Sequence, residues 1–478
     1  MFIGQPVTHH RFYGPLKGIG SVMPVQSDVA RPEAGAKVTG LIARIKAHEA
    51  VIGVIGMGYV GQPLALAAHS RGFHVVGFDV DMDRVAKLNQ GHSTIKTIPA
   101  ERIAALGKDG RFRATSELSE LSGPDVLIIC VPTPLNKYRD PDLSFVEKTA
   151  EAIAKALRPG QLICLESTTF PGTTSEIVKP ILETSGLEAG RDFYLAFSPE
   201  REDPGNKKFH TESIPKVVGA DDDDSRVLAE AVYRALIDNV VPVSSSATAE
   251  AVKLTENIFR SVNIALVNEL KHVYEPMGVS IWEVIDAAAT KPFGFMPFYP
   301  GPGLGGHCIP IDPFYLSWKA REYNVPTRFI ELAGEINTAE PNHVVQKLVN
   351  ALAGRQKRAI NGARVLLVGL SYKKNVDDLR ESPALTIFEI LEAQGAKVDY
   401  FDTWAPEIPE TREHRALKGR KTVAWDPDKF SRDYDAALIV TDHENVNYAA
   451  LVNSIELVVD SRNATRSVSS NRDRIVLA

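Results

Sequence analysis

The chain has 478 residues, which at about 150 residues per domain predicts roughly three folded units and excludes a single small domain. Its 54 Lys and Arg against 60 Asp and Glu give a formal net charge of −6, so nothing indicates a general polyanion binder and we expect no nucleic-acid partner. The 44% hydrophobic and 24% charged residues are typical of a soluble globular protein rather than a fibrous or disordered one.

The cysteine count and the hydropathy pattern predict the compartment. Three cysteines, Cys130, Cys164 and Cys308, are too few and odd in number for a disulfide framework, which favours a reducing environment. No apolar run approaches the ~18 residues that cross a bilayer, and the N-terminus lacks the pattern of a signal peptide. We therefore expect a cytoplasmic protein with no membrane partner.

The alternation of apolar runs divides the chain into four parts. Residues 1–48 are rich in Gly, Pro and His and are expected to form a loosely ordered extension. Residues 49–245 alternate short strands with helical segments, which predicts a doubly wound parallel sheet. Helical spacing dominates 246–350, and a strand–helix–strand pattern returns in 351–478. The expected fold class is α/β, with two Rossmann-like domains joined by a central helical domain.

The first strand–helix–strand unit carries a dinucleotide-binding motif. Its turn reads GMGYVG at 56–61, which matches G-x-G-x-x-G after a strand and before a helix. Asp79 follows 18 residues later at the end of the next strand, where a carboxylate can bind both hydroxyls of an adenosine ribose. An acid there favours NAD over NADP, and Arg84 is a candidate for adenine or pyrophosphate. The alternatives are glycines that serve only packing, a turn role for Asp79 and a solvated Arg84. The candidate contacts within the turn are Gly56, Gly58, Tyr59, Val60 and Gly61.

Two further loops are expected at the same crevice, because the carboxyl ends of parallel strands meet at one edge of a sheet. Thr133 lies in VPTP and Thr168 in ESTTFPG, so both hydroxyls are candidates to contact nicotinamide or a catalytic water. Hydroxyls at strand ends are also common turn formers. In the second Rossmann-like unit the corresponding turn reads GLSYKKN, where Lys373 and Lys374 replace glycines. We infer that this unit handles phosphates with side-chain cations.

A glycine-rich segment, PGPGLGGHCIPIDP at 300–313, delivers Cys308, and Asp312 follows four residues later. Cys308 lies near the start of a helical stretch and is expected to have a lowered thiol pKa, which suits a nucleophile. The alternatives are an inert buried thiol and a helix N-cap role for Asp312 before proline. Three glycines of the segment permit close backbone approach to a ligand: Gly303, Gly305 and Gly306.

One helix of the central region carries a polar stripe. Lys253, Asn257 and Arg260 stand at i, i+4 and i+7, within about a 60° arc of the helix surface. A solvent-exposed stripe is one interpretation. The other is a cleft-lining set that holds a phosphate, sugar hydroxyls or an oxyanion. Glu200, after another apolar run, is a candidate to project into the same cleft.

Together these segments resemble the nucleotide-sugar 6-dehydrogenases, the UDP-glucose and GDP-mannose dehydrogenase family, from about residue 50 to the C-terminus. Seven motifs occur in the family's order: GMGYVG with FDVD, VPTP, STTFPGT, SPERE, K-x-x-x-N, GGHCIPID and GLSYKKNVDDLRESP. The resemblance implies an enzyme that oxidises a sugar C6 alcohol to a carboxylate in two NAD-dependent steps. Its substrate would be a UDP-sugar, and its assembly a homodimer or a higher homo-oligomer.

The resemblance also assigns catalytic roles. Cys308 would capture the intermediate aldehyde as a thiohemiacetal, which is oxidised to a thioester and then hydrolysed. Lys253 and Asn257 would stabilise the developing oxyanions, while Asp312 with Thr168 would position or activate water. Either Lys253 or a water bound to Asp312 would take the first alcohol proton.

The remaining implied roles concern hydrolysis and the substrate. Glu200 matches a motif glutamate near the hydrolytic step. Lys373 and Arg380 would reach the diphosphate, either within one subunit or across a subunit boundary. Gly305 would line the substrate site. No metal site is predicted.

Departures from the UDP-glucose branch indicate the substrate. That branch reads closer to PEFL with a later glutamate and to GGSCFPKD, whereas here Arg201 follows SPE, Pro204 replaces the later glutamate and Ile311 replaces the lysine. SPEREDPGN and GHCIPIDPFYL resemble the branch that acts on UDP-N-acetylhexosamines. We expect UDP-N-acetylglucosamine, used for surface polysaccharide such as O-antigen, with Arg201 and Arg260 governing substrate choice. The alternatives are UDP-glucose, UDP-N-acetylmannosamine and a non-catalytic nucleotide-sugar-binding protein.

Overall fold

A computed structural model of the protein describes residues 35–95, 98–136, 140–201, 213–306, 308–411 and 413–478. Its first unit is an eight-stranded sheet in the order β3-β2-β1-β4-β5-β6-β7-β8. The strands are β1 (Val51–Ile55), β2 (His74–Phe78), β3 (Phe112–Thr115), β4 (Val126–Ile129), β5 (Leu162–Leu165), β6 (Tyr194–Phe197), β7 (Lys216–Ala220) and β8 (Val240–Val243). The helices are α1 (Ala36–Lys46), α2 (Gly61–Ser70), α3 (Met82–Asn89), α4 (Ala100–Leu106), α5 (Ser144–Ala156), α6 (Lys179–Glu183) and α7 (Asp223–Leu236).

The centre of this sheet determines where a ligand can bind. β1 pairs in parallel with β2 on one side and with β4 on the other, so the strand order reverses between β1 and β4. The residues of both strands are almost entirely apolar and buried, as expected for strands covered on both faces. A crevice therefore opens at the carboxyl ends of β1 and β4, where the loops that begin at Gly56 and Cys130 meet.

The prediction of a parallel sheet up to residue 245 is wrong at one edge. β6 and β7 are antiparallel, with Ala196 opposite Ala220, and β8 runs parallel to β7. An apolar run predicts a buried strand, but its composition carries no information about strand direction. β8 is the edge strand, which agrees with its exposed middle residues and with Pro242.

The N-terminal extension also differs from the expectation for 1–48. Residues 36–46 form α1, whose apolar residues Val38, Leu41 and Ile45 recur at helical spacing and are buried in the core of the first unit. The Arg44 guanidinium bonds the Asp125 carboxylate at 2.5 Å and fastens the helix further. This part of the extension therefore belongs to the first unit, and residues 1–34 lie outside the described residues.

The central unit is helical, and two of its helices are 29 residues long. It consists of α8 (Ser246–Tyr274), α9 (Ile281–Ala288), α10 (Asp312–Glu322) and α11 (Arg328–Gln356). The Asn268 amide bonds Asn337 at 3.1 Å and Lys271 bonds Glu340 at 3.0 Å. Because these pairs advance together along both helices, α8 and α11 run side by side in the same direction.

The boundary expected at residue 350 falls inside α11. The second half of this helix buries Val344, Leu348 and Leu352 in the core of the C-terminal unit. α11 is therefore a rigid connection between the central and C-terminal units. Among the described residues, no helix combines the length and the apolar character needed to cross a membrane.

The C-terminal unit is a smaller, fully parallel sheet in the order β10-β9-β11-β12-β13. Its strands are β9 (Arg364–Val368), β10 (Lys397–Phe401), β11 (Ala436–Ile439), β12 (Val458–Asp460) and β13 (Ile475–Leu477). Its helices are α12 (Pro383–Ala393), α13 (Pro427–Asp433) and α14 (Tyr448–Ser454). The strand order reverses between β9 and β11, so this unit has its own crevice, bordered by the loop that contains Lys373.

Candidate active site

Each glycine of the turn after β1 fits its position for a different structural reason. Gly56 has φ +94°, and a Cβ there would lie 2.8 Å from the Cys130 carbonyl oxygen. A Cβ on Gly61 would lie 2.1 Å from the Gly56 carbonyl oxygen, so this position requires glycine for the turn to close onto α2. A Cβ on Gly58 would meet no heavy atom of the described residues within 4 Å. The open space at Gly58 is where the backbone can approach a pyrophosphate, which fits a dinucleotide.

Asp79 lies at the end of β2 beside this turn and is nearly buried. Its carboxylate accepts hydrogen bonds from the Met57 and Asp81 amides and from the Arg84 guanidinium, each at 2.9 Å. These three donors fix the carboxylate beside the glycine turn, at the position where the sequence predicts a ribose hydroxyl pair. Arg84 thus pairs with Asp79 while its side chain stays 36% exposed, and its contact with adenine or pyrophosphate remains a prediction.

Tyr59 of the glycine turn contacts the C-terminal unit. The Arg380 guanidinium lies 4.5 Å from the centre of the Tyr59 ring, and Asp378 holds the same guanidinium through a 2.6 Å hydrogen bond. The sequence predicted these two residues for different ligands, cofactor and diphosphate. The structure places them together, so the two crevices share a border at this point. Lys373 is half-buried, and exposed Lys374 lies 3.5 Å from Glu444.

Four polar side chains from three segments form a buried cluster in the cleft. Lys253 Nζ on α8 donates to the Glu200 main-chain oxygen at 2.5 Å and to its carboxylate at 3.1 Å. One turn along α8, the Asn257 amide donates to Asp312 Oδ2 at 2.6 Å. All four side chains are nearly inaccessible to solvent. The polar stripe on α8 therefore lines the cleft at Lys253 and Asn257, whereas Arg260 is exposed.

Burial sets the protonation of the two charged groups that face the cleft. Burial raises the pKa of Asp312 to about 7, although Lys253 and the Asn257 hydrogen bond oppose this rise. Burial alone lowers the pKa of Lys253, but the charges of Glu200, Cys308 and Asp312 together raise it above its usual value. Lys253 therefore stays protonated near neutral pH, while Asp312 can accept or release a proton there.

The expectation of a lowered thiol pKa at Cys308 is wrong. Burial raises the pKa of Cys308 to about 12, Asp312 adds to the rise, and the opposing effect of Lys253 is smaller. α10 begins only at Asp312, four residues after Cys308, and burial is the largest influence on the pKa of the thiol. A reaction at this thiol consequently requires a neighbouring group to take its proton.

The N-cap alternative for Asp312 is also excluded by geometry. Ile311 occupies the N-cap position of α10 without a side-chain hydrogen bond, and Pro313 occupies the first turn. The Asp312 carboxylate turns toward Asn257 rather than toward its own helix. Its environment is therefore the buried cleft, and α10 supplies only the position of its backbone.

The glycines of the Cys308 loop serve contacts between units. A Cβ on Gly305 would lie 2.6 Å from Tyr372 Cβ, and one on Gly306 would lie 2.8 Å from the Tyr372 ring. The Gly306 amide donates to the Arg380 carbonyl at 3.0 Å. Gly303, with φ +126°, packs against Pro341 and Pro383. In the described structure these glycines bring the Cys308 loop against the C-terminal unit, and a protein surface occupies the approach that the sequence assigned to a ligand.

The remaining predicted residues border the cleft. Thr133 is buried, and its main-chain oxygen accepts the Tyr315 hydroxyl at 2.5 Å, while Thr168 is half-buried after β5. The Arg201 guanidinium bonds the Pro215 carbonyl at 2.8 Å and pairs with Glu256, the neighbour of Asn257 on α8. Arg201 is thus held beside the cluster by protein contacts.

Sequence reasoning missed Glu250, which anchors the loop after β5. Its buried carboxylate accepts the Gly172 amide at 2.7 Å, the Thr174 amide at 2.8 Å and the Thr174 hydroxyl at 2.7 Å. Burial raises the pKa of Glu250 to about 7. The signal was available, because Glu250 stands one turn before Lys253 on the same face of α8.

A cavity of about 320 Å³ lies where the three units meet. The Cys308 loop borders it with Ile309 and Ile311, α11 contributes Asn337, and the C-terminal unit contributes Glu381 and His414. The loop that carries Cys308 borders this cavity and also contacts Arg380, where the two crevices share a border. The arrangement places the buried acid–amide–cation cluster beside the Cys308 thiol and the border of the two crevices beside its loop.

Comparisons with known proteins agree with this arrangement. Models of the UDP-glucose/GDP-mannose dehydrogenase family match three consecutive stretches: the NAD binding domain over 50–237, the central domain over 247–339 and the UDP binding domain over 366–467. A UDP-N-acetyl-D-glucosamine 6-dehydrogenase of Pseudomonas aeruginosa is 39% identical over 356 residues, which are 74% of this chain and 82% of the relative. A UDP-N-acetyl-D-mannosamine dehydrogenase of Pyrococcus horikoshii is 34% identical over 86% of this chain and 95% of its own.

Solved structures are similar over nearly the whole chain. A UDP-D-ManNAc dehydrogenase structure from Pyrococcus horikoshii superposes with a TM-score of 0.76 at 32% identity, covering 87% of this chain and 96% of the other. An NDP-N-acetyl-D-galactosaminuronic acid dehydrogenase from Methanosarcina mazei Go1 has a TM-score of 0.75 at 27% identity, covering 93% and 97%. The similarity thus extends over both Rossmann-like units and the helices between them.

Proposed function

Since the chain belongs to the UDP-glucose/GDP-mannose dehydrogenase family and is an NAD-dependent UDP-sugar dehydrogenase, we propose that its substrate is a UDP-N-acetylhexosamine, with UDP-N-acetylglucosamine preferred. Two relatives at 39% and 34% identity bear the name UDP-N-acetyl-D-glucosamine 6-dehydrogenase, which supports this choice. The product would be the corresponding uronate, a building block for surface polysaccharide. A relative named Protein CapL supports a role of that kind.

The observation that carries the proposed chemistry is the buried cluster beside Cys308. When bound, NAD supplies the hydride acceptor for both oxidations. In the first, a water held by Asp312 takes the C6 hydroxyl proton and passes a proton to the Asp312 carboxylate, since Lys253 stays protonated and Asp312 titrates near neutral pH. Asp312 releases this proton to solvent before the second oxidation. The Lys253 ammonium and the Asn257 amide are placed to stabilise negative charge on the C6 oxygen.

The second oxidation requires a covalent bond to the protein. The Cys308 sulfur adds to the C6 aldehyde carbon, its thiol proton passes to the Asp312 carboxylate, and the thiohemiacetal forms as its oxyanion beside the Lys253 ammonium and the Asn257 amide. Loss of the C6 hydride from this oxyanion gives a thioester. Water then adds to the thioester carbon, and release of the thiol yields the carboxylate. Asp312, Thr168 and Glu200 are the groups we assign to positioning or deprotonating that water.

The substrate's diphosphate is assigned to the C-terminal unit. Lys373 borders the crevice of that unit. Arg380 lies where this crevice meets the glycine turn of the first unit, which carries the NAD binding domain and is called the NAD unit below. Arg201 is held beside the cluster by Glu256, and Arg260 is exposed on the same helix, so we propose both as residues that discriminate between sugars. Gly305 brings the Cys308 loop close enough to Tyr372 to close this side of the substrate site.

The partner we propose is a second copy of this chain. α8 exposes three apolar side chains at intervals of seven residues: Phe259 (47%), Leu266 (50%) and Val273 (43%). Such a regular apolar stripe on a long helix is typical of a helix–helix interface. The enzyme is therefore proposed to work as a homodimer or a higher homo-oligomer in the cytoplasm.

A panel of UDP-sugars tests the substrate assignment. We expect kcat/KM for UDP-N-acetylglucosamine to exceed that for UDP-glucose by at least about tenfold, because a site built to hydrogen-bond an acetamido group rejects a ligand that lacks it. UDP-N-acetylmannosamine is the second candidate, since several relatives bear that name. Higher kcat/KM for UDP-glucose than for both N-acetyl sugars would contradict the proposal.

A further inference from the structure

The two long central helices hold a second cluster of ligating side chains, away from Cys308. Glu340 on α11 is fully buried, and its Oε1 lies 2.7 Å from His272 Nε2 on α8. His343, one turn along α11, places Nδ1 3.5 Å from the same oxygen. The imidazole rings meet edge to face with centres 4.6 Å apart. Two imidazoles from different helices thus converge on one carboxylate oxygen.

The spacing of these three atoms suits a small transition-metal ion. His272 Nε2, Glu340 Oε1 and His343 Nδ1 all lie within 4.8 Å of one another. Tetrahedral zinc with bonds of about 2.0–2.1 Å separates its ligand atoms by roughly 3.3 Å. The separations of Glu340 Oε1 from the two nitrogens, 2.7 and 3.5 Å, bracket that value, and the two nitrogens lie within 4.8 Å of each other. A side-chain rotation that brings the imidazole nitrogens closer together would place all three groups on one ion.

The surroundings of the cluster favour a bound metal ion over a simple ion pair between Glu340 and the histidines. Lys271 Nζ bonds the other oxygen, Glu340 Oε2, at 3.0 Å, which orients the carboxylate and leaves Oε1 to the imidazoles. The side chains of His272 and His343 are 32% and 52% exposed, so solvent can reach the site and supply a fourth ligand. Within the described ranges, these residues form the group of three His, Cys, Asp or Glu whose atoms are close enough to share an ion.

We propose that His272, Glu340 and His343 bind a divalent transition-metal ion of the zinc class, with water as the fourth ligand. The ion links α8 to α11. Neutral imidazoles are the ligand form, so His272 carries its proton on Nδ1 when Nε2 binds the metal. Glu340 precedes Pro341 and stands one turn after Asn337, both of which line the cavity between the units. The metal therefore stabilises the helix pair behind this cavity without contacting the reacting groups.

Zinc titration of the full-length protein in competition with a chromophoric chelator tests this site. Wild type should bind one more equivalent of Zn²⁺ than His272→Ala and His343→Asn, or should bind Zn²⁺ more than about tenfold more tightly than either variant. Loss of an outer-shell partner alone already lowers metal affinity by about that factor, and these variants lose a ligand. His69→Ala is the matched control, since His69 also pairs with a carboxylate, Asp109 at 3.0 Å, but has no second imidazole beside it among the described residues. Zn²⁺ should also raise the Tm of wild type and control and not of the two variants.

The outcomes separate this site from the reactive thiol. Equal zinc uptake by all four proteins, or no uptake by any, would overturn the proposal. The proposal would also be overturned if wild type bound a single Co²⁺ ion with a thiolate charge-transfer band, and Cys308→Ser lost both the ion and the band. His343 is half-exposed, so we expect its replacement to leave the buried Lys271–Glu340 pair and the fold intact.

Discussion

The reactivity of the Cys308 thiol depends on which neighbouring group can accept its proton. Cys308 is not activated by its own loop, because burial raises its pKa to about 12. Asp312, four residues away in sequence, is the neighbour whose pKa lies near neutral. Lys253 holds positive charge beside both groups. We infer that Asp312 manages protons for the cleft, and that Lys253 and Asn257 stabilise charge without exchanging protons.

Replacement of Asp312 by Asn tests this division of roles. We expect kcat to fall by about 10²–10⁴-fold, the usual contribution of a positioned acid or base, with little change in the Kd for the UDP-sugar. In wild type, the pKa of about 7 makes the ionised base scarce at lower pH, so kcat/KM should fall as pH drops below 7. The pH dependence of kcat/KM measures both effects.

The control for this variant is Asp286→Asn, because Asp286 is exposed on α9 and bonds only Tyr299 among the described residues. Its pH profile should match that of wild type. If Asp312→Asn kept the wild-type decrease below pH 7, another group would be the proton acceptor.

The role of a residue can be predicted from the sequence when that role depends on neighbours within the same strand, turn or helix. The turn glycines, Asp79 and the Lys253–Asn257 pair follow from spacing, because a strand–turn–helix unit and a helix face are local geometries. The pKa of Cys308 did not follow, since it depends on burial by other units. Nor did the proposed metal cluster, whose His272 and Glu340 are brought together only by the packing of α8 on α11.

Among the elements, α8 determines how the loops of the first unit reach the cleft. Glu250 on its first turns bonds Gly172 and Thr174 in the loop after β5, and Lys253 bonds Glu200 in the loop after β6. One helix thus positions two loops at the carboxyl edge of the sheet. The start of this helix is stabilised by its N-cap, where the Ser245 hydroxyl accepts the Thr248 amide at 3.1 Å.

Loss of the Glu250 carboxylate should loosen one of these loops. Glu250→Ala leaves two buried amides without an acceptor, and each costs about 1–3 kcal/mol, so we expect a clear fall in Tm and in kcat. Glu230→Ala on α7 is the control, because its pair with Arg234 at 3.3 Å is a surface pair worth at most about 1 kcal/mol. Thermal unfolding compares the two. An equal Tm for both variants would show that Glu250 does not anchor the loop.

Secondary-structure elements were predictable in type but not always in direction or boundary. The buried runs that became β1, β4 and β5 follow from continuous apolar sequence, as helices on both faces require. The reversal at β7 and the continuation of α11 past residue 350 did not follow, because both depend on contacts between distant segments. α1 had a periodic apolar pattern, but its partner α7 lies nearly 200 residues away.

Across the whole molecule, three units converge on one loop. The Cys308 loop packs against Tyr372 and Arg380 of the C-terminal unit, and Arg380 reaches the glycine turn of the NAD unit. α11 continues from the central unit into the C-terminal core. The cleft is thus assembled from parts of every unit, so we expect the separated units to lack dehydrogenase activity.

The proposed assembly has its own test. Leu266→Asp places a charge in the middle of the exposed apolar stripe of α8, and we expect the oligomer to dissociate because a buried unpaired carboxylate is costly. Phe145→Asp on α5 is the matched control, since Phe145 is similarly exposed (48%) on the NAD unit. Light scattering after size-exclusion chromatography measures the mass. A wild-type mass equal to one chain, or an unchanged mass in Leu266→Asp, would contradict this interface.

The central claim is that one enzyme carries out two oxidations through a covalent bond to Cys308. The most direct measurement is the amount of NADH formed per uronate from UDP-N-acetylglucosamine, in wild type and in Cys308→Ser. We predict about two NADH per uronate in wild type, as two hydride transfers require, and no uronate in Cys308→Ser, which still binds the UDP-sugar. One NADH per sugar in wild type, or uronate formation that persists in Cys308→Ser, would contradict the claim.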